Sequence, residues 1–169
     1  MPPPEFHIEP LGPHHDRAGF SCGVEALDNY LKKQARQDVK KRVAAVFVLT
    51  PDGKTVGGYY SLSQFSVDLG MLPQDIAKRL PRYPIVPATL IGRLAVNTAF
   101  RGQGLGELLL LDALHRSLTL SQQIASAAVI VDAKDERAMS FYRKYGFLEL
   151  PSIASRLFLP MATVEQLFQ

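Results

Sequence analysis

One stretch constrains this chain more than any other. Residues 90–106 read Leu90-Ile91-Gly92-Arg93-Leu94-Ala95-Val96-Asn97-Thr98-Ala99-Phe100-Arg101-Gly102-Gln103-Gly104-Leu105-Gly106, a run of strand character feeding a glycine-rich turn that opens an apolar, helix-forming segment. Backbone amides at a helix start have no acceptor inside the helix, and the helix dipole adds partial positive charge there. Glycines let a ligand approach those amides with no side chain between. The turn is therefore expected to hold an anion, and its ligand to carry phosphates. A P-loop is excluded, because Glu107 and Leu108 follow Gly106 where Lys and then Ser or Thr are needed. A dinucleotide-binding turn fails too: its third glycine would fall at Glu107 or Leu109.

The surrounding pattern predicts an α/β fold with a mixed sheet. Downstream, the continuous apolar run 127–131 suits a strand buried on both faces, so strand, helix and strand imply a right-handed βαβ crossover. A helix from about 136 to 145 should stop at Gly146, followed by short strands near 147–150 and 156–159. Upstream, Phe6, Ile8 and Leu11 suggest a first strand ended by Gly12-Pro13, after a frayed lead-in over residues 1–5. Runs 44–49 and 56–62 flank Pro51-Asp52-Gly53 and should form an antiparallel hairpin that residues 66–68 extend or follow. Residues 71–80 read as a short helix, Pro81, Pro84 and Pro87 hold the chain extended, and 89–96 is the next strand. A chain of 169 residues is about the size of one domain, and with no repeat or linker a single domain is expected.

Charge is unevenly spread. The chain carries +3 overall, yet the stretch from Lys32 to Arg42 alone carries +5. Val24, Leu27, Leu31, Ala35 and Val39 recur at helical spacing and should face the core, which turns Lys32, Lys33, Arg36 and Lys40 to the opposite side. Such a stripe is either a solvated helix face or the footprint of a phosphate backbone. The lone Cys22 excludes an internal disulfide and a cysteine-built zinc site. His7, His14, His15 and His115 have no paired metal-ligand spacing, so no metal is expected; these and Cys22 are read as surface or supporting residues. No apolar run approaches the roughly 20 residues of a membrane span, and the N-terminus has no secretory pattern, so a cytoplasmic protein without membrane contact is expected.

The pattern Arg101-x-x-Gly104-x-Gly106 resembles the acetyl-CoA pyrophosphate loop of the GNAT acetyltransferase superfamily. Further on, Phe141-Tyr142-Arg143-Lys144-Tyr145-Gly146-Phe147 resembles the ending of that superfamily's last core helix. The resemblance implies a GNAT fold with a central sheet of about six to seven strands flanked by helices. It also implies that acetyl-CoA is the donor, with Leu94, Ala95 and Val96 pairing with the pantetheine arm and Arg101, Gly102, Gln103, Gly104, Leu105 and Gly106 holding the pyrophosphate. Phe141 falls on the cofactor side of the motif, although on fold alone it reads as a core aromatic. Tyr142 would be the general acid for the departing thiolate.

Many members of the superfamily place a carboxylate on the strand before the loop, but residues 89–101 contain no Asp or Glu and offer Arg93 instead. A lysine acceptor, with a reference pKa near 10.4, usually needs such a base; an α-amine near 7.7 to 8.0 is already partly neutral. Asp68, Asp132 or a water chain remain possible bases. The segment Phe20-Ser21-Cys22-Gly23-Val24-Glu25-Ala26-Leu27-Asp28-Asn29-Tyr30-Leu31, the basic helix, Gly92-Arg93-Leu94-Ala95-Val96 and Phe141-Tyr142 together resemble the GNAT toxins of bacterial type II toxin and antitoxin modules. That likeness implies acetylation of aminoacyl-tRNA, a tRNA grip by Lys32, Lys33, Arg36, Lys40, Lys41 and Arg93, neutralisation by a small DNA-binding antitoxin, and a homodimer. Two other readings stay open: a GNAT enzyme for a small amine or protein N-terminus, and a non-catalytic GNAT-fold binding module. One departure from the pattern is an apparent short helix over 161–169, whose role the resemblance leaves open.

Overall fold

The computed structural model describes residues 5–169, so most of the expected lead-in lies outside the described residues. The strands are β1 His7–Pro10, β2 Ala45–Thr50, β3 Gly58–Asp68, β4 Ile85–Val96, β5 Ala128–Asp132, β6 Leu148–Glu149 and β7 Arg156–Pro160. They form one seven-stranded sheet in the order β1-β2-β3-β4-β5-β7-β6. The sheet is mixed, as expected: β4 and β5 run parallel in the register Thr89↔Val129, whereas β1/β2, β2/β3, β5/β7 and β6/β7 are antiparallel. The helices are α1 Glu25–Asn29, α2 Ala35–Lys40, α3 Gln74–Ala77, α4 Leu105–Ser121, α5 Glu136–Lys144 and α6 Met161–Leu167. Among the described residues, no helix is long and apolar enough to cross a membrane.

The predicted hairpin forms with Ala45 opposite Leu62, and β3 continues without a break through residues 66–68. At its turn Asp52 accepts from the amides of Lys54 and Thr55 at 2.9 and 2.7 Å, which holds its carboxyl below the usual carboxylate range.

Three expectations need correction. The helix expected over 71–80 shrinks to Gln74–Ala77: Pro73 occupies its N-cap, and the chain leaves through bonds from Arg79 to Ile76 and from Leu80 to Ala77, tighter than α-helical ones. The strand expected from residue 89 begins at Ile85 and contains Pro87, which has no amide to donate but accepts from Ala127 at 2.8 Å. The helix expected to run unbroken from Val24 widens into a π-helical turn at Tyr30–Gln34, where the Ala35 amide reaches back five residues to Tyr30. Arg17 donates to the carbonyls of Leu31 and Lys32 at 3.4 and 3.1 Å, so an outside donor serves backbone acceptors of that turn. The buried face is still the expected one, with Leu31 and Ala35 buried and Leu27 and Val39 partly so, and the turn adds Tyr30 to it.

The chain divides into two compact units. The first comprises the chain up to Ser63 together with Gly92–Ala113; the second comprises Gln64–Ile91 and Leu114–Gln169. The first unit's core gathers Phe20, Cys22, Tyr30, Leu31, Ala35, Val46, Val48, Val56, Tyr59 and Ala95. The second is centred on Val67, Leu72, Ala88, Ala128, Ile130, Leu150 and Phe158.

Candidate functional site

The glycine-rich turn has the geometry its sequence demands. Gly102 and Gly104 adopt φ of +82° and +73°, the left-handed region that L side chains avoid. A methyl built on either would meet nothing within 4 Å, so these glycines are there for the backbone path, and the space beside them is open. Residues 101–104 are exposed and Leu105 is buried. The first bond of α4 runs from the Leu108 amide to the Gly104 carbonyl at 3.2 Å, so the amides before it have no acceptor within the helix. An open space, amides at a helix start and the positive end of a helix of 17 residues fit a diphosphate.

The strand that delivers this turn is fixed where it ends. Asn97 donates to Val56 at 3.0 Å and accepts from the Ala99 amide at 3.0 Å. Gly58 lies so close to β4 that a methyl there would stand 2.9 Å from the Ala95 carbonyl oxygen. Ala95 is buried, while Leu94 and Val96 are partly exposed. Phe6 packs edge-on against Phe100 at 5.8 Å.

Arg93 does not stand free on its strand. Its guanidinium lies over the ring of Tyr30, 3.5 Å from the centroid, and Tyr30 in turn stacks on Tyr59 at 6.3 Å. The Tyr30 hydroxyl donates to Asp38 at 2.8 Å, and Gln34 donates to the other oxygen of that carboxylate at 2.9 Å. Gln34 and then Tyr30 hold the Asp38 carboxyl below its ordinary range, while burial pushes the Tyr30 phenol up to about 12. Arg93, Tyr30 and Tyr59 thus form a column, with the π turn supplying its middle ring. Lys33, Arg36, Lys40 and Lys41 are exposed, and Lys32 is half-buried. Sequence reasoning missed Tyr30 and Asp38; the available signal was an aromatic three residues after Leu27 with an acid at its second i+4 step.

In the second unit, Asp135 caps α5 by accepting from Ala138 at 2.8 Å. The helix ends as Gly146 predicts: Gly146 has φ +95°, its amide bonds to Arg143, and the Phe147 amide bonds to Tyr142, the Schellman pattern. Arg143 donates to Glu136 and Glu149 at 2.7 and 2.8 Å and so fastens this helix to β6. Tyr142 is 7% exposed, flanked edge-on by Phe141 and Phe147 at 5.3 and 5.4 Å. Burial pushes its phenol up to about 12. Phe141 is half-buried and also meets Tyr145 at 5.3 Å.

Two of the residues read as surface or supporting residues are buried. Cys22 is buried; its amide donates to Asp28 at 2.8 Å and its thiol points to the Val24 carbonyl at 3.6 Å. His15 is buried because both ring nitrogens are partnered: Nδ1 accepts from Gly12 at 2.9 Å and Nε2 meets Glu9 at 2.6 Å. Glu9, His14 and His15 bring donor atoms within 4.8 Å of one another. A metal-bound imidazole donates through its second nitrogen, whereas that of His15 accepts, so the donor set does not suit a metal. The cluster serves instead to hold the Glu9 carboxyl below its ordinary range, first through His15.

The description Acetyltransferase (GNAT) domain belongs to a family model that matches residues 42–149. The chain is 38% identical over 169 residues to a probable toxin TacT of Sinorhizobium fredii, covering 95% of this chain and 93% of the relative. It is 34% identical over 146 residues to a tRNA-acetylating toxin of Mycobacterium tuberculosis, covering 86% of each. A solved structure of AtaT complexed with acetyl-methionyl-tRNAfMet superposes with a TM-score of 0.90 at 28% identity, over 98% of this chain and 100% of that one. A mutant AtaT toxin bound to the C-terminus of the antitoxin AtaR and acetyl-CoA superposes with a TM-score of 0.82 at 25% identity, over 97% and 98%.

Proposed function

This chain belongs to the GNAT acetyltransferase family, and on that premise we propose that it moves the acetyl group of acetyl-CoA to the α-amine of an aminoacylated tRNA, as the toxin of a toxin and antitoxin pair. The observation that carries this reading is the pairing, within one compact unit, of an anion-holding turn at 101–106 with an exposed cationic helix face at Lys33, Arg36, Lys40 and Lys41. The relatives named as a tRNA-acetylating toxin and as a toxin complexed with acetylated tRNA support the same acceptor.

Each group has a physical task. The amides from Gly102 to Gly106 hold the donor's pyrophosphate, and the backbone of Leu94, Ala95 and Val96 pairs with its pantetheine arm. Acetyl-CoA supplies an acetyl group on a thioester, so the acceptor nitrogen forms a bond to carbon while the carbon–sulfur bond breaks. Tyr142 is the proton donor for the sulfur's developing negative charge. A phenol near 12 against a thiol near 8.5 makes outright transfer uphill by about 5 kcal/mol. Tyr142 therefore acts by hydrogen-bonding the departing sulfur, and water carries the proton that the acceptor nitrogen loses on forming the amide to the thiolate. An α-amine needs little help from a base, consistent with Arg93 standing where a carboxylate would be. Lys32, Lys33, Arg36, Lys40, Lys41 and Arg93 bind the RNA backbone. The toxin works in the cytoplasm as a homodimer and is neutralised by a small DNA-binding antitoxin; the AtaT complex with its antitoxin is the supporting parallel.

The test is acetyl transfer from labelled acetyl-CoA to charged tRNA by wild type, Lys33→Glu/Arg36→Glu and Tyr142→Phe. The charge-reversed pair should lose at least tenfold in kcat/KM for tRNA but keep its affinity for acetyl-CoA. Tyr142→Phe should lose about two to three powers of ten, the usual worth of one hydrogen bond to charge that develops in the transition state. Wild-type transfer to a free amino acid at the rate seen with tRNA would overturn the assignment.

A further inference from the structure

Arg101 is exposed, yet its side chain is tied down at the mouth of the turn it begins. Its Nη2 donates to the Cys22 carbonyl at 2.9 Å, across 79 residues of sequence. The recipient segment is built to receive it. Gly23 has φ +87°, and a methyl there would stand 3.0 Å from that same Nη2. The neighbouring Ser21 carbonyl accepts from the Thr98 amide at 2.8 Å, so residues 97–101 and 21–23 are joined at two points. From the other side Asp28, on α1, accepts from the Cys22 amide at 2.8 Å, while Phe20 and Cys22 are embedded in the core. The short turn that launches the basic helix is thus clamped between α1 and the first residue of the glycine-rich turn.

We infer that Arg101 is a positioning residue for donor binding: its side chain ties the start of the 101–106 turn to the Cys22–Gly23 carbonyl hinge, setting the direction of the amides that hold the diphosphate. This rests on the reading of that turn given above. The backbone of residues 102–104 takes two left-handed steps in open space, with nothing packed against either glycine. Its path is therefore fixed at its ends: by α4 on one side, and on the other by the Thr98 and Arg101 bonds. Because the clamp ends at the first residues of the basic helix, the order of the turn and the order of the helix start depend on one another.

Calorimetric acetyl-CoA binding by the full chain separates this role from direct phosphate contact. Arg101→Met removes both a charge and the tether. Gly23→Ala and Asp28→Ala leave the turn's own residues and the Arg101 charge in place, and disturb only the hinge. Arg101→Met and Gly23→Ala should each raise the Kd for acetyl-CoA about tenfold, Asp28→Ala less, with thermal melting confirming a folded chain. Combined, Arg101→Met and Gly23→Ala should cost little more than either alone, since both break one contact. In steady state KM for acetyl-CoA should rise while kcat stays near wild type, and Arg101→Lys should recover part of the loss. A Gly23→Ala Kd within twofold of wild type, or losses that multiply in the double variant, would overturn the inference and leave the donor site assignment standing. A folded wild-type chain that binds no acetyl-CoA would overturn both.

Discussion

Gly58→Ala tests how closely β3 and β4 are fitted. Gly58 opens β3 opposite Leu49, and its φ lies outside the left-handed region, so alanine's backbone is allowed and only space opposes it. The added methyl would stand 2.8 Å from Leu109 Cδ1 and 2.9 Å from the Ala95 carbonyl oxygen. Leu109 is fully buried and has little room to yield. The oxygen belongs to a strand and moves only if β4 moves, by about half an ångström to reach ordinary contact. Overpacking of this kind costs about 1–3 kcal/mol. For a chain of this length that lowers Tm by roughly 3–10 °C. Since the Ala95 backbone is proposed to pair with the pantetheine arm, the KM for acetyl-CoA should rise about fivefold as well, the equivalent of about 1 kcal/mol. Gly57→Ala is the control: the nearest atoms to its methyl would be Leu49 Cδ2 at 3.1 Å, the Leu49 carbonyl oxygen at 3.4 Å and Phe100 Cδ2 at 3.7 Å, none of them on β4. It should lower Tm less and leave KM within twofold. Scanning calorimetry with acetyl-CoA kinetics decides the matter. If Gly58→Ala melts within a degree of wild type, or if the two variants behave alike, the close approach of β3 to β4 does not set the donor strand.

Two more outcomes follow from the tyrosines. Tyr30→Leu removes the face under Arg93 while Tyr30→Phe keeps it and loses only the bond to Asp38; the KM for charged tRNA should rise about fivefold in the first and stay within twofold in the second, and equal effects would exclude the ring as a support. Burial holds the Tyr142 phenol near 12, whereas an unfolded tyrosine ionises near 10, so above pH 10 the unfolded chain binds fewer protons and stability falls as pH rises. Urea unfolding between pH 9 and 12 should reveal about 2–3 kcal/mol of that loss traceable to Tyr142, and an unchanged slope in Tyr142→Phe would contradict it.

What the sequence made legible was whatever a short window encodes. The hairpin around Pro51-Asp52-Gly53, the stop at Gly146 and the glycine-rich turn at Gly102 and Gly104 each depend on residues within a few positions of one another, and each takes its expected backbone form. What stayed hidden depends on partners far along the chain. The π turn draws on Arg17 for its carbonyls, Pro87 is accommodated in β4 by its acceptor role toward Ala127, and the Arg101 side chain finds its carbonyl 79 residues away. His15 is the exception: Gly12 and Glu9 lie only three and six residues back, but the loop path that brings them to both ring nitrogens is not written in the residue types.

The wide turn at Tyr30–Gln34 also alters what this helix tolerates in length. In a regular helix, losing one residue rotates everything beyond it by about 100°, and an amphipathic face is destroyed. Here a spare residue is already stored in the coil. Excising it would let the backbone relax to ordinary winding while Leu27 before it and Val39 after it kept facing inward. Size variation among descendants should therefore concentrate at this place, with the cationic edge surviving the change.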